Sequence, residues 1–141
     1  MNVGATTDVL VVGAGLAGLF LALRLAPRRC TVLSPTVLGQ AAASAWAQGG
    51  LAAALDPADS AEQHAADTIA AGAGLVDPQV ALLIAREGPA AVAALANLGV
   101  PFDRTQTERF ALSLEAAHSQ ARVARVAGDL AGRAIMETLV T

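Results

Sequence analysis

The chain has 141 residues, 55% of them hydrophobic, and a formal net charge of -3. This length supports one domain with a core, but it is short for a complete flavin or nicotinamide enzyme. The weak negative charge, without a basic cluster, argues against nucleic acid as a partner. The single cysteine, Cys30, excludes an internal disulfide and is typical of a reducing compartment.

An uncharged stretch over residues 9–23 resembles a signal or membrane segment at first sight. It is shorter than the ~20 apolar residues that span a bilayer. No basic segment precedes it, and it contains three glycines at the spacing of a nucleotide-binding turn. We therefore expect neither export nor a membrane partner, and we expect a cytoplasmic protein.

A strand, a glycine turn and a helix are predicted at the start of the chain. Residues 8–12 are rich in β-branched, apolar side chains, Gly13, Gly15 and Gly18 form a GxGxxG pattern, and residues 16–25 follow as an apolar helix. In such a turn the first glycine allows the sharp bend, the second lets a pyrophosphate approach, and the third lets helix and strand pack. The first N–H groups of the helix form an anion site. The pattern predicts dinucleotide binding, and the alternative is a tight turn that binds nothing.

A second strand is predicted over residues 30–33, which completes a β-α-β unit. The predicted fold class is therefore α/β, a Rossmann-like domain with a doubly wound, mostly parallel sheet. After this strand, where NAD-binding domains place a carboxylate for the ribose, the chain has Ser34 and Pro35. The missing carboxylate weakens the NAD interpretation.

Residues 38–55 are uncharged and show neither helical nor strand periodicity. Their adjacent glycines, Gly49 and Gly50, follow Gln48 and suggest backbone lying close against a flat ligand. The alternative is a surface loop.

Three further helices and one strand are predicted downstream. One helix begins at the cap residues 59–60 and ends near residue 71, and another begins at residues 77–78 and ends at 87. Gly88 and Pro89 are expected to interrupt that helix, which restarts and ends at Gly99. Residues 109–114 alternate like a strand, and residues 128–129 open a last helix. The last helical pattern runs to the final residue, from which we expect the chain to be an incomplete domain.

Through these motifs taken together, the chain resembles the L-aspartate oxidases, which are related to the flavoprotein subunits of succinate dehydrogenase and fumarate reductase. The resemblance covers essentially the whole chain. It is carried by the segments DVLVVGAG at 8–15, WAQGGLAA at 46–53, HAADT at 64–68, AGAGL at 71–75, LGVPFDR at 98–104, LEAAHS at 114–119 and AGDLAGR at 127–133. It implies that residues 1–141 are the N-terminal part of an FAD-binding domain, without the substrate-capping and C-terminal helical domains of the family.

The resemblance implies FAD as the cofactor and assigns two groups of contacts. The first group lies in the glycine turn and at the following strand end: Gly13, Ala14, Gly15, Leu16, Ala17, Gly18 and Ser34. The second group lies near the flavin ring: Ser44, Ala45, Trp46, Ala47, Gln48, Gly49 and Gly50. The dehydrogenase and reductase flavoproteins carry a histidine, bonded covalently to FAD, at the position of Ala43. The resemblance therefore implies non-covalent FAD.

Glu115 and His118 are the candidate catalytic residues. Glu115 follows an apolar strand-like run, so partial desolvation would suit a carboxylate that holds a substrate ammonium or helps to deprotonate it. The resemblance agrees, because the family places a substrate-contacting glutamate in the segment Arg-Glu-Gly-Gly-His-Ser. His118 is a candidate for the same pocket, although a lone glutamate or histidine is more often a surface or structural residue.

The remaining polar residues have less specific interpretations. His64 is expected to be structural, and two distant histidines with one cysteine make no metal site. Arg122, Arg125 and Arg133 are candidates for binding a dicarboxylate, with salt bridges or solvated positions as the alternative.

The resemblance implies a flavoprotein that transfers hydride from the Cα of L-aspartate to flavin N5 and forms iminoaspartate, with O2 or fumarate as electron acceptor. This is the first step of NAD biosynthesis through quinolinate, with quinolinate synthase as a possible partner. A succinate dehydrogenase or fumarate reductase flavoprotein and a non-catalytic nucleotide-binding remnant are the alternatives.

Overall fold

The computed structural model describes residues 7–39 and 42–141, and these form two compact units. The first unit comprises residues up to 47 together with residues 132–141. The second unit comprises residues 48–131.

The first unit begins with a parallel β-α-β arrangement. Strand β1 (Val9–Val12) pairs in parallel with β2 (Cys30–Leu33), with Val9 opposite Cys30, and helix α1 (Leu16–Arg24) connects them. Val11 on β1 and Leu19 on α1 are buried, which places the apolar core of this arrangement between helix and strands. The predicted β-α-β unit is confirmed, with bounds that differ by at most one residue.

Two further elements complete the first unit. A short 3₁₀ helix, Ala43–Trp46, precedes the unit boundary, and helix α4 (Ala131–Val140) returns to it from residue 132 onward. The N–H of Gly132 donates to the carbonyl oxygen of Ala47 at 2.9 Å. A side chain on Gly132 would overlap the carbonyl oxygen of Ser44, so α4 lies directly against the 3₁₀ helix. The predicted last helix is confirmed, although it begins at Ala131.

The second unit contains two capped helices, α2 (Ala61–Ala71) and α3 (Pro78–Asn97). Ser60 accepts from the N–H of Gln63 at 3.1 Å, and Asp77 accepts from the N–H of Gln79 at 2.8 Å. Both predicted starts are therefore confirmed, because these side chains satisfy N–H groups that have no partner within the helix.

The predicted interruption of the second helix at Gly88 and Pro89 is wrong, because α3 is continuous through both residues. A proline inside a helix removes one hydrogen bond, but packing on either side can hold the helix together. Buried Ala85 and Val92 provide that packing before and after the proline.

Helices α2 and α3 pack through small side chains. Ala65, Ala81 and Ala85 form the buried centre of this contact. The 20 residues of α3 are long and apolar enough to cross a membrane by length and composition alone. Its midpoint, however, carries Arg86, which pairs with Glu62 of α2 at 3.0 Å, as in the helices of globular domains.

A small antiparallel sheet completes the second unit. It consists of β3 (Leu51–Ala52), β4 (Leu112–Ser113) and β5 (Val123–Ala124) in the order β3-β5-β4. The strand predicted over residues 109–114 is thus shorter than expected, because Phe110 forms only an isolated bridge with Arg104. The sheet as a whole is not predicted, since two-residue strands are too short to show an alternating pattern.

Candidate functional site

The glycine turn of the first unit has the geometry that the GxGxxG pattern predicts. Gly13 has a φ of +110°, which favours glycine, and its N–H donates to the carbonyl oxygen of Leu33 at 2.9 Å. A Cβ on Gly18 would overlap the carbonyl oxygen of Gly13 and would lie 3.2 Å from the Val11 side chain. Gly18 is therefore the position that brings α1 close to β1.

Helix α1 begins at this turn, directly after Gly15. Its N-cap residue, Gly15, offers no side-chain oxygen, and the N–H of Leu16 donates to the hydroxyl of Ser44 at 3.2 Å. The same hydroxyl would lie 3.3 Å from a Cβ on Gly15, so only a glycine fits beside it without displacement. A helix start that lacks its own cap is a suitable anion site.

A cavity of about 350 Å³ lies beside the turn, at the carboxyl ends of β1 and β2. Ligands of open α/β sheets bind at this edge, and the volume is at the lower end of the range for small-molecule sites. The cavity is lined by Gly13, Ala14, Gly15, Ser34, Pro35, Thr36, Val37, Gly39, Ala42, Ala43 and Ser44.

The cavity brings together five of the predicted cofactor contacts: Gly13, Ala14, Gly15, Ser34 and Ser44. Small side chains, exposed backbone and the three hydroxyl groups of Ser34, Thr36 and Ser44 are a suitable lining for the phosphates and sugar of a dinucleotide. Sequence reasoning missed the lining contributed by residues 35–37, although their position directly after a parallel strand is the signal that would have found them.

The other predicted cofactor contacts do not line this cavity. Leu16, Ala17 and Gly18 form the first turn of α1, and Ala45, Trp46 and Ala47 continue from Ser44. The Trp46 side chain is 76% exposed, so it does not fill a core. Gln48, Gly49 and Gly50 belong to the second unit, where a Cβ on Gly50 would overlap the carbonyl oxygen of Ala124. Their contacts with a cofactor remain predictions.

Glu115, a candidate catalytic residue, lies in the second unit and has a cationic neighbour. Its carboxylate accepts from Nη2 of Arg125 at 2.5 Å, and its side chain is 35% exposed. Arg125 also has a buried Nε without a hydrogen-bond partner among the residues that the structure describes. Glu115 is thus partly desolvated, as the sequence suggests, but it is already paired.

Four charged or polar side chains of the second unit surround Arg122, and we call Arg122, Asp59, Asp67, His118 and Ser119 the arginine cluster. Arg122 is completely buried. Its Nε and Nη2 donate to Asp59 at 2.8 and 2.9 Å, and its Nη1 donates to Asp67 at 2.5 Å. Nη1 also lies 3.1 Å from Nδ1 of His118.

The arginine cluster corrects one of the predictions for the arginines. Arg122 is not available to bind a dicarboxylate, because both of its anionic partners are supplied by the chain and no part of it reaches solvent. The salt-bridge alternative therefore applies to it, and also to Arg133, which pairs with Glu137 at 3.0 Å on the surface of α4.

Hydrogen bonding inside the cluster shifts the acidity of its members. The N–H of Ser119, followed by the Arg122 guanidinium and the Ser119 hydroxyl, lowers the pKa of Asp67 from 3.8 to about 2. Burial raises the pKa of Asp59, but hydrogen bonds from Arg122 and Ser60 more than offset it, so that pKa lies below its usual range. Both carboxylates are therefore ionised at neutral pH.

His118 and His64 lie next to each other at the edge of the cluster, with ring centroids 5.7 Å apart in an edge-to-face arrangement. Burial, and then the charge of Arg122, lowers the pKa of His64 below its usual 6.5. The Nδ1 of His64 is buried without a hydrogen-bond partner in the described residues. His64 is a neutral packing residue, which agrees with its predicted structural role.

Sequence reasoning missed the cluster because its members are far apart in the chain. Asp59 was recognised only as part of a helix start, and it lies 63 residues before Arg122. Among the described residues, no group of histidine, cysteine, aspartate and glutamate side chains is arranged to hold a metal ion.

The chain matches a model of the FAD binding domain family over residues 8–141. It is 60% identical over 134 residues to an L-aspartate oxidase from Caulobacter vibrioides, covering 93% of the chain and 26% of that relative. It is 50% identical over 131 residues to an L-aspartate oxidase from Mesorhizobium japonicum, again covering 93% of the chain and 26% of the relative. The chain therefore spans about a quarter of the length of these curated relatives.

Solved structures show the same fold. The chain superposes on Sdh1 of Mycobacterium smegmatis with a TM-score of 0.85 and 36% identity, covering 94% of this chain and 22% of the other. It superposes on FrdA of the Escherichia coli quinol fumarate reductase with a TM-score of 0.86 and 25% identity, covering 95% of this chain and 23% of FrdA. The predicted fold class, the FAD-binding domain of this flavoprotein superfamily, is confirmed.

Proposed function

Because the chain belongs to the FAD binding domain family and its cofactor is FAD, we propose that it forms the N-terminal part of an L-aspartate oxidase. The observation that carries the proposal is the cavity at the glycine turn, where the helix start, Ser34 and Ser44 provide the donors for a dinucleotide. The identity of the chain to two L-aspartate oxidases supports the choice of reaction.

The first unit holds the cofactor in this proposal. The first N–H groups of α1 would hold the pyrophosphate, and Ser34, which lines the cavity, would contact the adenosine. The cavity wall has an alanine, Ala43, at the position where the related dehydrogenases carry their flavin-linked histidine. A methyl side chain cannot form that bond, so FAD is held non-covalently.

The second unit supplies substrate-facing groups. Bound FAD supplies the acceptor for two electrons. L-Aspartate would give up its Cα hydrogen with the bonding electron pair to that acceptor and one ammonium proton to solvent, which would yield iminoaspartate. Glu115 holds the substrate ammonium, and Arg125, which donates to it through Nη2, orients that carboxylate. His118 belongs to the same pocket.

The whole enzyme would be cytoplasmic and would use O2 or fumarate to reoxidise the cofactor. Its product would enter NAD biosynthesis through quinolinate synthase. The substrate-capping and C-terminal helical domains of the family lie outside residues 1–141, and we expect these residues alone to bind FAD but not to oxidise aspartate.

A succinate dehydrogenase or fumarate reductase flavoprotein is the second candidate, because solved structures of that kind share the fold at 25–36% identity. Ala43 argues against it. A third possibility, a nucleotide-binding remnant without catalysis, would require that the gene product end near Thr141 and lack flavin.

Native mass spectrometry of the product purified from its own gene tests these alternatives. A chain about four times as long, carrying one FAD that is lost on denaturation and turning over L-aspartate, supports the proposal. Flavin that remains attached after denaturation would favour the dehydrogenase alternative. A flavin-free chain of 141 residues would favour the remnant.

The cofactor site itself is tested by titrating the chain with FAD and following the quenching of flavin fluorescence. Gly15→Val fills the space beside the Ser44 hydroxyl, and we expect it to weaken binding at least about tenfold, the effect of a single lost anchoring contact of about 1.4 kcal/mol. Leu21→Val changes an exposed side chain on the same helix and serves as the control. Equal affinities for the two variants would contradict the assigned site.

A further inference from the structure

The hydrogen bond between Arg122 and His118 determines which ring nitrogen of His118 carries a proton. A guanidinium group has only N–H donors and no acceptor. Nδ1 of His118 lies 3.1 Å from Nη1 of Arg122, so Nδ1 is the acceptor in this contact. In a neutral imidazole the proton then lies on Nε2.

Arg122 is held so firmly that it imposes this choice on the ring. Three of its N–H groups donate to Asp59 and Asp67, at 2.5–2.9 Å, and these contacts fix the plane of the guanidinium. The second hydrogen of Nη1 remains for His118. Because Arg122 is completely buried, water does not compete for that hydrogen.

Neighbouring groups on α2 and in the segment around His118 reinforce the arrangement. The neutral ring of His64 contributes an edge-to-face contact from α2, and Asp67, also on α2, accepts from the N–H and hydroxyl of the neighbouring Ser119 at 2.8 Å each. The N–H of His118 donates to the carbonyl oxygen of Glu115 at 3.2 Å. Within the described part of the chain, Nε2 makes no hydrogen bond.

We propose that Arg122 is a positioning residue that holds His118 in its Nε2–H tautomer, so that His118 acts as a hydrogen-bond donor to an anionic oxygen of the substrate and not as a base. The proposal rests on the proposed function for the identity of the substrate. It gives the second unit two complementary groups, a carboxylate at Glu115 for an ammonium and an N–H at His118 for a carboxylate oxygen.

The tautomer is measured directly by long-range ¹H–¹⁵N correlation NMR on the chain with ¹⁵N-labelled histidine, at a pH where the imidazoles are neutral. The chain has only two histidines, and the spectrum of His64→Gln assigns the signals. We expect the Nδ1 resonance of His118 at the unprotonated position and Nε2 at the protonated position. A protonated Nδ1, or averaged signals from both tautomers, would overturn the proposal.

The role of Arg122 in fixing the tautomer of His118 is tested with Arg122→Lys, which keeps the charge but loses the planar set of donors. We expect the His118 signals to move toward the average of the two tautomers. Arg86→Lys, the same change at an exposed ion pair of the same unit, should leave them unchanged. If circular dichroism shows that Arg122→Lys is unfolded, Asp67→Asn is used instead. The loss of the Asp67 charge weakens the hydrogen bond that holds Nη1 of Arg122 in place. A folded variant with unchanged His118 signals would refute the role of Arg122.

The role of His118 in the reaction is tested in the full-length enzyme by comparing His118→Gln with His118→Asn. The glutamine amide N–H reaches the position of Nε2, whereas the asparagine side chain is too short to do so. A donor role predicts that the glutamine variant keeps most of the affinity for aspartate while the asparagine variant raises KM about tenfold or more. Equal loss of kcat in both variants would indicate a base and overturn the proposal. If the wild-type enzyme reduces no flavin with aspartate, the proposed function fails while the NMR result still decides the tautomer.

Discussion

The polar sites of the two units are formed by different kinds of chemical group. In the first unit the cavity is formed by backbone, small side chains and the start of α1. The turn beside it depends on the positive φ of Gly13 and on Gly18, where a Cβ would overlap the carbonyl oxygen of Gly13. In the second unit the arginine cluster is formed by long charged side chains that meet from distant parts of the sequence. A site of the first kind is encoded locally, whereas a site of the second kind depends on the completed fold.

Removing the central charge of the cluster should therefore have the largest effect. Arg122→Met would leave Asp59, whose side chain is 1% exposed, as an uncompensated buried anion. Breaking a buried pair in this way costs about 3–5 kcal/mol of the free energy of unfolding. Urea denaturation followed by circular dichroism measures the loss. Arg86→Met, which breaks an exposed pair, should have a much smaller effect, and similar losses for both variants would show that burial does not distinguish the two sites.

The first unit should respond most strongly to an added methyl group. Gly18→Ala would force α1 away from β1, because the new Cβ overlaps the carbonyl oxygen of Gly13. We expect the free energy of unfolding to fall by about 1–3 kcal/mol and FAD binding to weaken. Gly49→Ala is the matched control for stability, since a Cβ there has no neighbour within 4 Å. A stable Gly18→Ala variant with normal affinity for FAD would mean that helix and strand do not approach as closely as described.

Acid should weaken the second unit in two stages. The pKa of His64 is lowered from 6.5, so the unfolded chain takes up a proton first and stability falls as the pH decreases through 6.5. The pKa of Asp67 is lowered from 3.8 to about 2, so its contribution is complete above about pH 5 and is lost as the pH falls through 3.8 toward 2. The loss of stability on protonating Asp67 should be smaller than the loss in Arg122→Met, because Arg122 still pairs with Asp59.

Urea midpoints between pH 8 and pH 2.5 measure these stages. Asp67→Asn should flatten the second stage, whereas Asp56→Asn, at an exposed pair with Arg109, should not change it. A second stage that persists unchanged in Asp67→Asn would assign the acid sensitivity to other carboxylates.

The smallest expected effect concerns the backbone beside His118. Ala117 has a φ of +68°, in the left-handed region that costs a residue with a Cβ about 1 kcal/mol. Ala117→Gly should therefore stabilise the chain by up to about 1 kcal/mol, less the added entropy of the unfolded state. Ala116→Gly, at a position without a positive φ, should instead lose about 0.4–1 kcal/mol. Thermal unfolding of both variants measures the difference, and a loss in both would argue against a left-handed turn at Ala117.

The success of prediction from sequence follows the same division. The strand, glycine turn and helix of the first unit were predicted nearly to the residue, because each signal lies within a few positions of the structure it specifies. The helix caps at Ser60 and Asp77 were predicted for the same reason. The sequence did not predict that α3 continues through Pro89, because the packing of Ala85 and Val92, and not the local sequence, decides it.

The predicted chemistry was local too, and was incomplete where it depended on distant partners. Arg125 lies ten residues after Glu115 and Arg122 four residues after His118, but these residues follow no helical or strand periodicity, so the sequence does not indicate either contact. Arg122 itself was assigned as a candidate for binding substrate, whereas the structure buries it between two aspartates.

The sequence by itself determined the dinucleotide-binding turn and the parallel β-α-β unit, since glycine spacing and strand periodicity act on neighbouring residues. FAD as the cofactor was implied by the resemblance of its motifs to the L-aspartate oxidases. Only the tertiary structure decided the state of the charged residues. Whether a charged side chain is buried or exposed depends on which partners reach it, and for Arg122 those partners lie 55 and 63 residues away along the chain.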